Sequence, residues 1–334
     1  MPLAATTRGA RPPGAPWRCS GRNGRRDADV GRGSPPRPPG APRSSRPPVR
    51  PPLIAVLLGL AASVAWGVAD FLGGAQSRRV PLLAVVFVSQ LGGLGSMLVV
   101  VALLAGPPPG LAPLLPAVLA GVASAGAMAA FYRALAVGTM TVVAPTIAVI
   151  SAGVPVLVGL LTGERPSVLA ALGMAVAVAG VLLATQATGA PVEGAKRGSA
   201  GLGLALVAGL LLGLVLIGLD AAARADPLWG VLTTRFVSAL CVLPVVLIRR
   251  RGLELGRVPL PLLALIGVLD ATANALFALA TTLGLLSVVT VLGSLYPVVT
   301  VLLARALLGE RVGAAQRAGV VAALAGVVLI AAGG

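Results

Sequence analysis

An internal duplication constrains this chain more than any other feature of its sequence. Two stretches, GTMTVVAPTIAVISAGVPVLVGLLTGER from Gly138 to Arg165 and GLLSVVTVLGSLYPVVTVLLARALLGER from Gly284 to Arg311, share a glycine, 24 mostly apolar residues and a closing Gly-Glu-Arg. Their offset of 146 residues also relates Gly173 to Gly319. A period this long exceeds the roughly 20 to 50 residues of solenoid repeats, so it predicts two homologous halves of one bundle.

The composition places both halves in a membrane. Hydrophobic residues make up 57% of the chain and charged residues only 11%, whereas soluble domains carry about 25% charged residues. A helix needs roughly 20 apolar residues to cross a bilayer, and the long Leu, Val and Ala runs fit helices rather than the alternating pattern of a membrane barrel. We therefore expect an all-α integral membrane protein.

Proline, glycine and charged clusters divide the apolar sequence into ten predicted transmembrane helices, five in each half. The predicted spans are Leu53 to Leu72, Leu82 to Leu104, Leu114 to Ala136, Thr141 to Leu161, Val168 to Thr185, Ser199 to Leu219, Leu228 to Ile248, Leu260 to Thr281, Leu285 to Leu308 and Ala314 to Ala332. The first repeat is predicted at 53–186, a linker at 187–198 and the second repeat at 199–334. Five is an odd number, so the second copy begins on the opposite side of the membrane. The repeats are therefore predicted to be inverted, with both termini on one side.

Residues 1–52 are predicted to form a disordered Arg/Pro-rich tail. They contain 11 arginines against two aspartates, together with many prolines and glycines, and almost nothing apolar to bury. Much of the net charge of +16 lies there, so the charge does not require a nucleic-acid partner and none is expected. The tail is either a segment that contacts anionic membrane lipid or a dispensable extension.

Two charge signals disagree about orientation. The loops after the odd-numbered spans, with their boundaries, hold 12 basic residues, whereas the opposite loops hold only Arg165 and Arg224. By the positive-inside rule this distribution places both termini outside the cell. The arginines of the tail favour the reverse, so the side that the termini face is left open.

The duplication, the ten predicted spans, the motif ASVAWGVADF at 62–71 and the repeated Gly-Glu-Arg resemble the EamA-type members of the drug/metabolite transporter superfamily over about residues 53–332. The resemblance implies a carrier in the cell (plasma) membrane that moves small organic metabolites or drugs, in several cases together with a proton, and it implies cytoplasmic termini. Inverted repeats in a carrier indicate alternating access at a midplane cavity between the halves. The motifs do not identify a substrate.

Charged residues within spans are the first candidates for a substrate site. On insertion scales a charge near the bilayer centre costs about 2.5 to 3.5 kcal/mol, so it persists where it faces a cavity or a partner. Asp270 lies mid-span with Asn274 four residues later on the same helical face. Arg235 is the natural counter-ion for Asp270, and the pair is either part of the site or only a structural clamp. A proton is a second candidate cargo for Asp270, a role that a close Arg235 would suppress.

The remaining candidates come from other spans. Trp66 and Asp70 share one face of the first span with Ser63, and Gln90 lies in the second span. Pro297 removes a backbone hydrogen bond from the ninth span. Breaks of this kind in transmembrane helices often adjoin binding sites. The complete set of predicted substrate-binding residues is Asp270, Asn274, Arg235, Tyr296, Ser294, Trp66, Asp70 and Gln90.

Neither a metal site nor a cofactor is expected. The chain has no histidine, the commonest metal ligand and neutral-pH base. Its two cysteines, Cys19 in the tail and Cys241 in an apolar run, are poorly placed for a disulfide. We therefore predict no enzymatic activity, with a membrane enzyme acting on lipid-linked substrates and a non-transporting scaffold as the alternatives. The expected partners are a small-molecule substrate and membrane lipid, and a homodimer is left open.

Overall fold

The computed structural model describes residues 53–77, 79–137, 140–185, 199–248, 260–308 and 313–333, and all regular structure in these ranges is helical. The eleven described helices are α1 (Leu53–Ser77), α2 (Leu82–Leu104), α3 (Leu111–Val137), α4 (Met140–Leu161), α5 (Val168–Ala184), α6 (Ser199–Ala223), α7 (Pro227–Ile248), α8 (Leu260–Leu283), α9 (Leu286–Gly293), α10 (Tyr296–Leu308) and α11 (Ala314–Ala332). The predictions made for the tail 1–52 and the linker 187–198 lie outside the described residues.

Eight of the described segments are long and apolar enough to cross a membrane, when α9 and α10 are counted together as Leu286–Leu307. Two shorter apolar helical stretches, Thr146–Leu161 and Val168–Ala184, complete the set. These ten segments agree with the ten predicted spans. The prediction of an all-helical, multi-pass membrane protein is confirmed.

The ninth predicted span is broken into α9 and α10. Pro297 has no backbone N–H to return to the carbonyl of Gly293, where α9 ends. The chain passes the break in a tight turn, in which the Leu295 N–H donates to the Leu292 carbonyl at 3.3 Å. All eight residues of α9 are buried. The sequence predicted an irregularity at this proline, and the structure places it there.

Helix packing follows the duplication. α1 packs against α8 as α6 packs against α3, and α2 packs against α8 as α7 packs against α3. Likewise α4 packs against α6, and α9 and α10 pack against α1. Each contact thus has a counterpart in which the two halves exchange places, as expected when one unit has been duplicated.

α5 and α11, which are equivalent helices of the two halves, cross at close range. Gly173 lies against Gly326, and Gly180 lies against Gly319, so the two helices run antiparallel. Lipid provides little hydrophobic drive between helices, so close backbone approach through small residues supplies much of the packing energy. The repeated glycines, predicted to be packing residues, form this crossing.

We expect Gly180→Ala and Gly319→Ala to destabilise the bundle. A methyl group at either position would overlap the backbone of the partner helix at Ala323 or Ala184. Gly95→Ala in α2 is the matched control, because nothing lies within 4 Å of its added carbon. Alanine favours an open helix site by about 1 kcal/mol. Thermal unfolding in detergent should show lower melting temperatures for the two crossing variants only, and equal values for all three would contradict this packing.

Candidate functional site

An ion pair joins α7 and α8 in the interior of the bundle. The Nη2 atom of Arg235 lies 2.5 Å from Oδ2 of Asp270. Asp270 follows the start of α8 by ten residues and Arg235 follows the start of α7 by eight, so the charges lie about 15 and 12 Å along their helices. The Arg235 side chain is 11% exposed and that of Asp270 is 37% exposed. The predicted counter-ion is therefore the observed one, with the carboxylate on the more open side.

A chain of hydrogen bonds continues behind the ion pair. Nη1 of Arg235 donates to Oε1 of Gln90 at 3.4 Å, and Nε2 of Gln90 donates to Oγ of Ser238 at 2.9 Å. Ser238 in turn donates to Oγ of Ser124 at 3.4 Å. The predicted site residue Gln90 is only 6% exposed, so it supports Arg235 from within the wall. The two serines were not predicted, although Ser238 lies one turn from Arg235.

α1 brings two further candidates to the same level of the bundle. The ring of Trp66 packs against Phe277 of α8, with 5.8 Å between ring centroids and an interplanar angle of 46°. Four residues further along α1, the carboxylate of Asp70 is close enough to Asp270 for the two charges to interact. α1 and α8 therefore run antiparallel, and their two acidic residues lie near each other.

Asp70 lies further from the end of its helix than the predicted span indicated. α1 continues to Ser77 rather than ending at Leu72, so seven residues follow Asp70 in the helix. Asp70 is exposed. Tyr296, the first residue of α10, is close enough to Asp70 to interact with it electrostatically. The structure thus places Trp66, Asp70 and Tyr296 in the neighbourhood of the ion pair, and their role in binding stays a prediction.

Two predicted residues donate their side-chain hydrogen bonds to backbone carbonyls three or four residues earlier in the chain. Nδ2 of Asn274 donates to the backbone carbonyl of Asp270 at 2.7 Å, and the residue is 8% exposed. Oγ of Ser294 donates to the carbonyl of Val291 at 2.8 Å. Both residues lie beside the site, but their polar groups are occupied by backbone carbonyls.

Three buried hydroxyl groups have no hydrogen-bond partner within the described part of the chain. They belong to Ser63, Ser287 and Thr290. Ser63 is 1% exposed and lies on the face of α1 that carries Trp66 and Asp70, while the other two lie in the buried helix α9. Unsatisfied polar groups are uncommon in native interiors, and those in a native structure call for an explanation.

A second contact between the two halves lies at the bundle end where α4 ends and α9 begins, here named the Glu164 end. The carboxylate of Glu164 accepts hydrogen bonds from the backbone N–H groups of Leu286 at 2.6 Å and Ser287 at 2.9 Å. The first N–H groups of a helix have no intrahelical partner and favour negative charge. The glutamate of the first Gly-Glu-Arg thus caps the ninth span, a role that the repeat alone did not reveal.

A polar cavity of about 370 Å³ adjoins this cap. It is separate from the Asp70 and Asp270 region, and it contains an ion pair in which Arg224 Nη2 lies 3.1 Å from Asp220 Oδ2. Its lining residues are Glu164, Asp220, Ala223, Arg224, Thr281, Thr282, Gly284 and Leu286. The cavity therefore marks the Glu164 end as a polar, partly open surface above the buried helix α9.

The fold is that of a multi-pass membrane protein of the transporter-like kind. It has ten apolar segments, charged residues that meet inside the bundle, and helix contacts that are repeated between two halves. The family model described as EamA-like transporter family matches residues 53–186 and 199–332. The chain belongs to this family. The prediction made from the Gly-Glu-Arg repeat and the first-span motif is confirmed.

A solved structure supports the same fold. The chain is similar to a protein whose title reads "Crystal structure of protein", with a TM-score of 0.66 and 16% sequence identity. The similarity covers 82% of this chain and 95% of the other. No curated protein matches the sequence. At this identity the likeness shows the fold alone.

Proposed function

We propose that this chain is a secondary transporter of the cell membrane that moves a small organic metabolite or drug by alternating access. The observation that carries the proposal is the central site: the Asp270 and Arg235 pair from the second half faces Asp70 from the first. Charges at this depth cost about 2.5 to 3.5 kcal/mol. A bundle that served only as a scaffold would gain little from placing three of them together between its halves.

Inverted repeats supply the mechanism. The antiparallel crossing of α5 and α11 supports inversion, because these helices are equivalent in the two copies. So does the pairing in which the main helix contacts, such as α1 with α8 and α6 with α3, recur with the halves exchanged. Two inverted units can exchange conformations, which opens a midplane site first to one face of the membrane and then to the other.

We infer that the structure represents the conformation in which the central site is closed towards the Glu164 end. The carboxylate of Glu164 ties the first half to α9 of the second, and α9 is buried along its whole length. The site at Tyr296 follows directly after α9, so a substrate entering from the Glu164 end meets a packed helix. Access in this conformation is from the opposite end.

The proton remains a second candidate cargo of the proposal. Arg235 lies against Asp270. A close arginine was expected to suppress proton transport by Asp270, because a cation keeps the carboxylate ionised. We therefore assign to Asp270 the binding and positioning of substrate. Gln90, which accepts from Arg235, and Ser238, which accepts from Gln90, act as positioning residues for this acid.

Solute counterflow tests the function directly. The purified full chain is reconstituted in liposomes loaded with unlabelled amino acids, sugars, nucleosides or amines, and entry of the matching labelled compound is followed. We expect counterflow for at least one compound, and none in liposomes containing the Asp270→Asn variant. A flat signal over the whole panel from folded protein would contradict transport and favour the alternatives, a membrane enzyme or a scaffold.

A further inference from the structure

The central site holds two carboxyl groups but one guanidinium. Arg235 is engaged by Asp270 and by Gln90, and only 11% of its side chain is exposed. Asp70 is exposed, and among the described residues no basic side chain pairs with it. The Asp70 carboxyl group therefore has no basic partner among the described residues, whereas the one guanidinium of the site is held by Asp270.

The position of Asp70 makes its carboxyl group available to a ligand. A carboxylate within a span persists where water or a bound group reaches it, and Asp70 has seven helical residues of α1 beyond it. Its carboxylate also repels that of Asp270 across the contact between α1 and α8. A cation placed between the two acids would relieve the repulsion and supply the missing counter-charge.

Two aromatic residues lie near the Asp70 carboxyl group. Trp66 lies one turn before Asp70 on the same face of α1, and Tyr296 lies close to it from the start of α10. Both side chains are partly exposed. Aromatic ring faces attract cations, most strongly where water is excluded. The orphan hydroxyl of Ser63, two turns before Asp70 on that face, adds an unused polar group.

We propose that the transported substrates are organic cations, namely ammonium compounds with an apolar body, bound through Asp70 with Trp66 and Tyr296 packed against the charged head. The proposal rests on the proposed transport function and narrows it to one substrate class. An organic anion would need a free basic group at the site, and Arg235 is already held by Asp270 and Gln90. The carboxyl group of Asp70, which lacks a basic partner, therefore favours cations.

Two probes of equal shape isolate the charge. Benzyltrimethylammonium carries a permanent positive charge, and neopentylbenzene is its neutral isostere; phenylacetate serves as the anion. Binding to the purified full chain in detergent is measured by the rise in melting temperature over a concentration series. We expect the cation alone to stabilise the protein, and Asp70→Asn to weaken its binding at least about tenfold, as loss of a charge pair in a partly desolvated site implies.

Matched variants complete the test. Asp226→Asn removes an acid outside the site, and asparagine can still cap α7 through the Leu228 and Trp229 N–H groups, so cation binding should persist. If Asp70→Asn does not fold, Asp70→Glu should fold and bind, because it keeps the charge. Equal stabilisation by the neutral isostere or the anion, no stabilisation by any probe, or unchanged cation binding in Asp70→Asn would overturn the assignment.

Counterflow separates a wrong substrate class from a wrong function. Liposomes that exchange only neutral or anionic compounds would refute the cation assignment and leave transport standing. Binding of benzyltrimethylammonium that depends on Asp70, without exchange of any compound on the panel, would support the site and refute transport. Exchange of amines that is lost in Asp70→Asn and kept in Asp226→Asn would support both.

Discussion

The Asp270→Asn variant is expected to lose transport while remaining inserted and folded. Asparagine keeps the shape of the side chain and can still accept a hydrogen bond from Arg235. It removes the negative charge that lies 2.5 Å from the guanidinium. An unpaired arginine at this depth costs about 2.5 to 3.5 kcal/mol on insertion scales, so the melting temperature in detergent should also fall. Size-exclusion profiles and counterflow rates measure the two effects separately.

Two companion variants distinguish a binding site from a structural clamp. Arg235→Gln should destabilise less than Asp270→Asn, because the remaining carboxylate is the more exposed partner. The double variant carries neither charge, so its melting temperature should return towards that of the original protein while transport stays absent. Transport by the double variant at the original rate would reduce the pair to a clamp between helices.

The Glu164→Gln variant should have the second large effect, on the equilibrium between conformations. Glu164 offers one charged oxygen to each of two N–H groups at the start of α9, whereas glutamine offers one neutral oxygen and an NH₂ group. Hydrogen bonds to charged groups contribute about 1.5 to 3 kcal/mol each. Loss of only 1.4 kcal/mol from one of two conformations shifts their ratio about tenfold. We therefore expect counterflow to slow markedly and the Glu164 end to open.

Arg165→Gln is the matched control for this variant. Arg165 is the next residue and is exposed, so its replacement changes a charge at the same bundle end without touching α9. Its counterflow rate should stay close to the original. A Glu164→Gln protein that transports like Arg165→Gln would show that the cap has no part in gating.

The sequence was most informative where one helix alone carries the information. Apolar run length gave the spans, and Pro297 predicted the irregularity in the ninth, because a missing N–H acts on the chain that contains it. Helical periodicity placed Trp66 and Asp70 on one face. The rarity of charge inside spans left Arg235 as the natural partner for Asp270, and the structure joins them.

Contacts between distant segments were harder to predict. Glu164 and Leu286 are separated by 122 residues, and no local pattern states which helix end a loop carboxylate will cap. The orientation of the Asn274 amide could not be predicted either. A residue that shares a helical face with Asp270 can point its amide into the cavity or donate it to the backbone carbonyl of Asp270, and the structure shows the second. Glu310, which repeats Glu164 in the second half, lies outside the described residues.

The most direct test of alternating access is the sidedness of thiol labelling at Tyr296→Cys. Cys19 and Cys241 are first replaced by serine, since Cys241 is exposed, and Arg165→Cys identifies the membrane side of the Glu164 end. With Glu164 intact, a membrane-impermeant maleimide should label position 296 from the opposite side only. Adding Glu164→Gln should make it reactive from the Glu164 side as well. Equal labelling from both sides with Glu164 intact, or from neither, would contradict a central site closed at the Glu164 end.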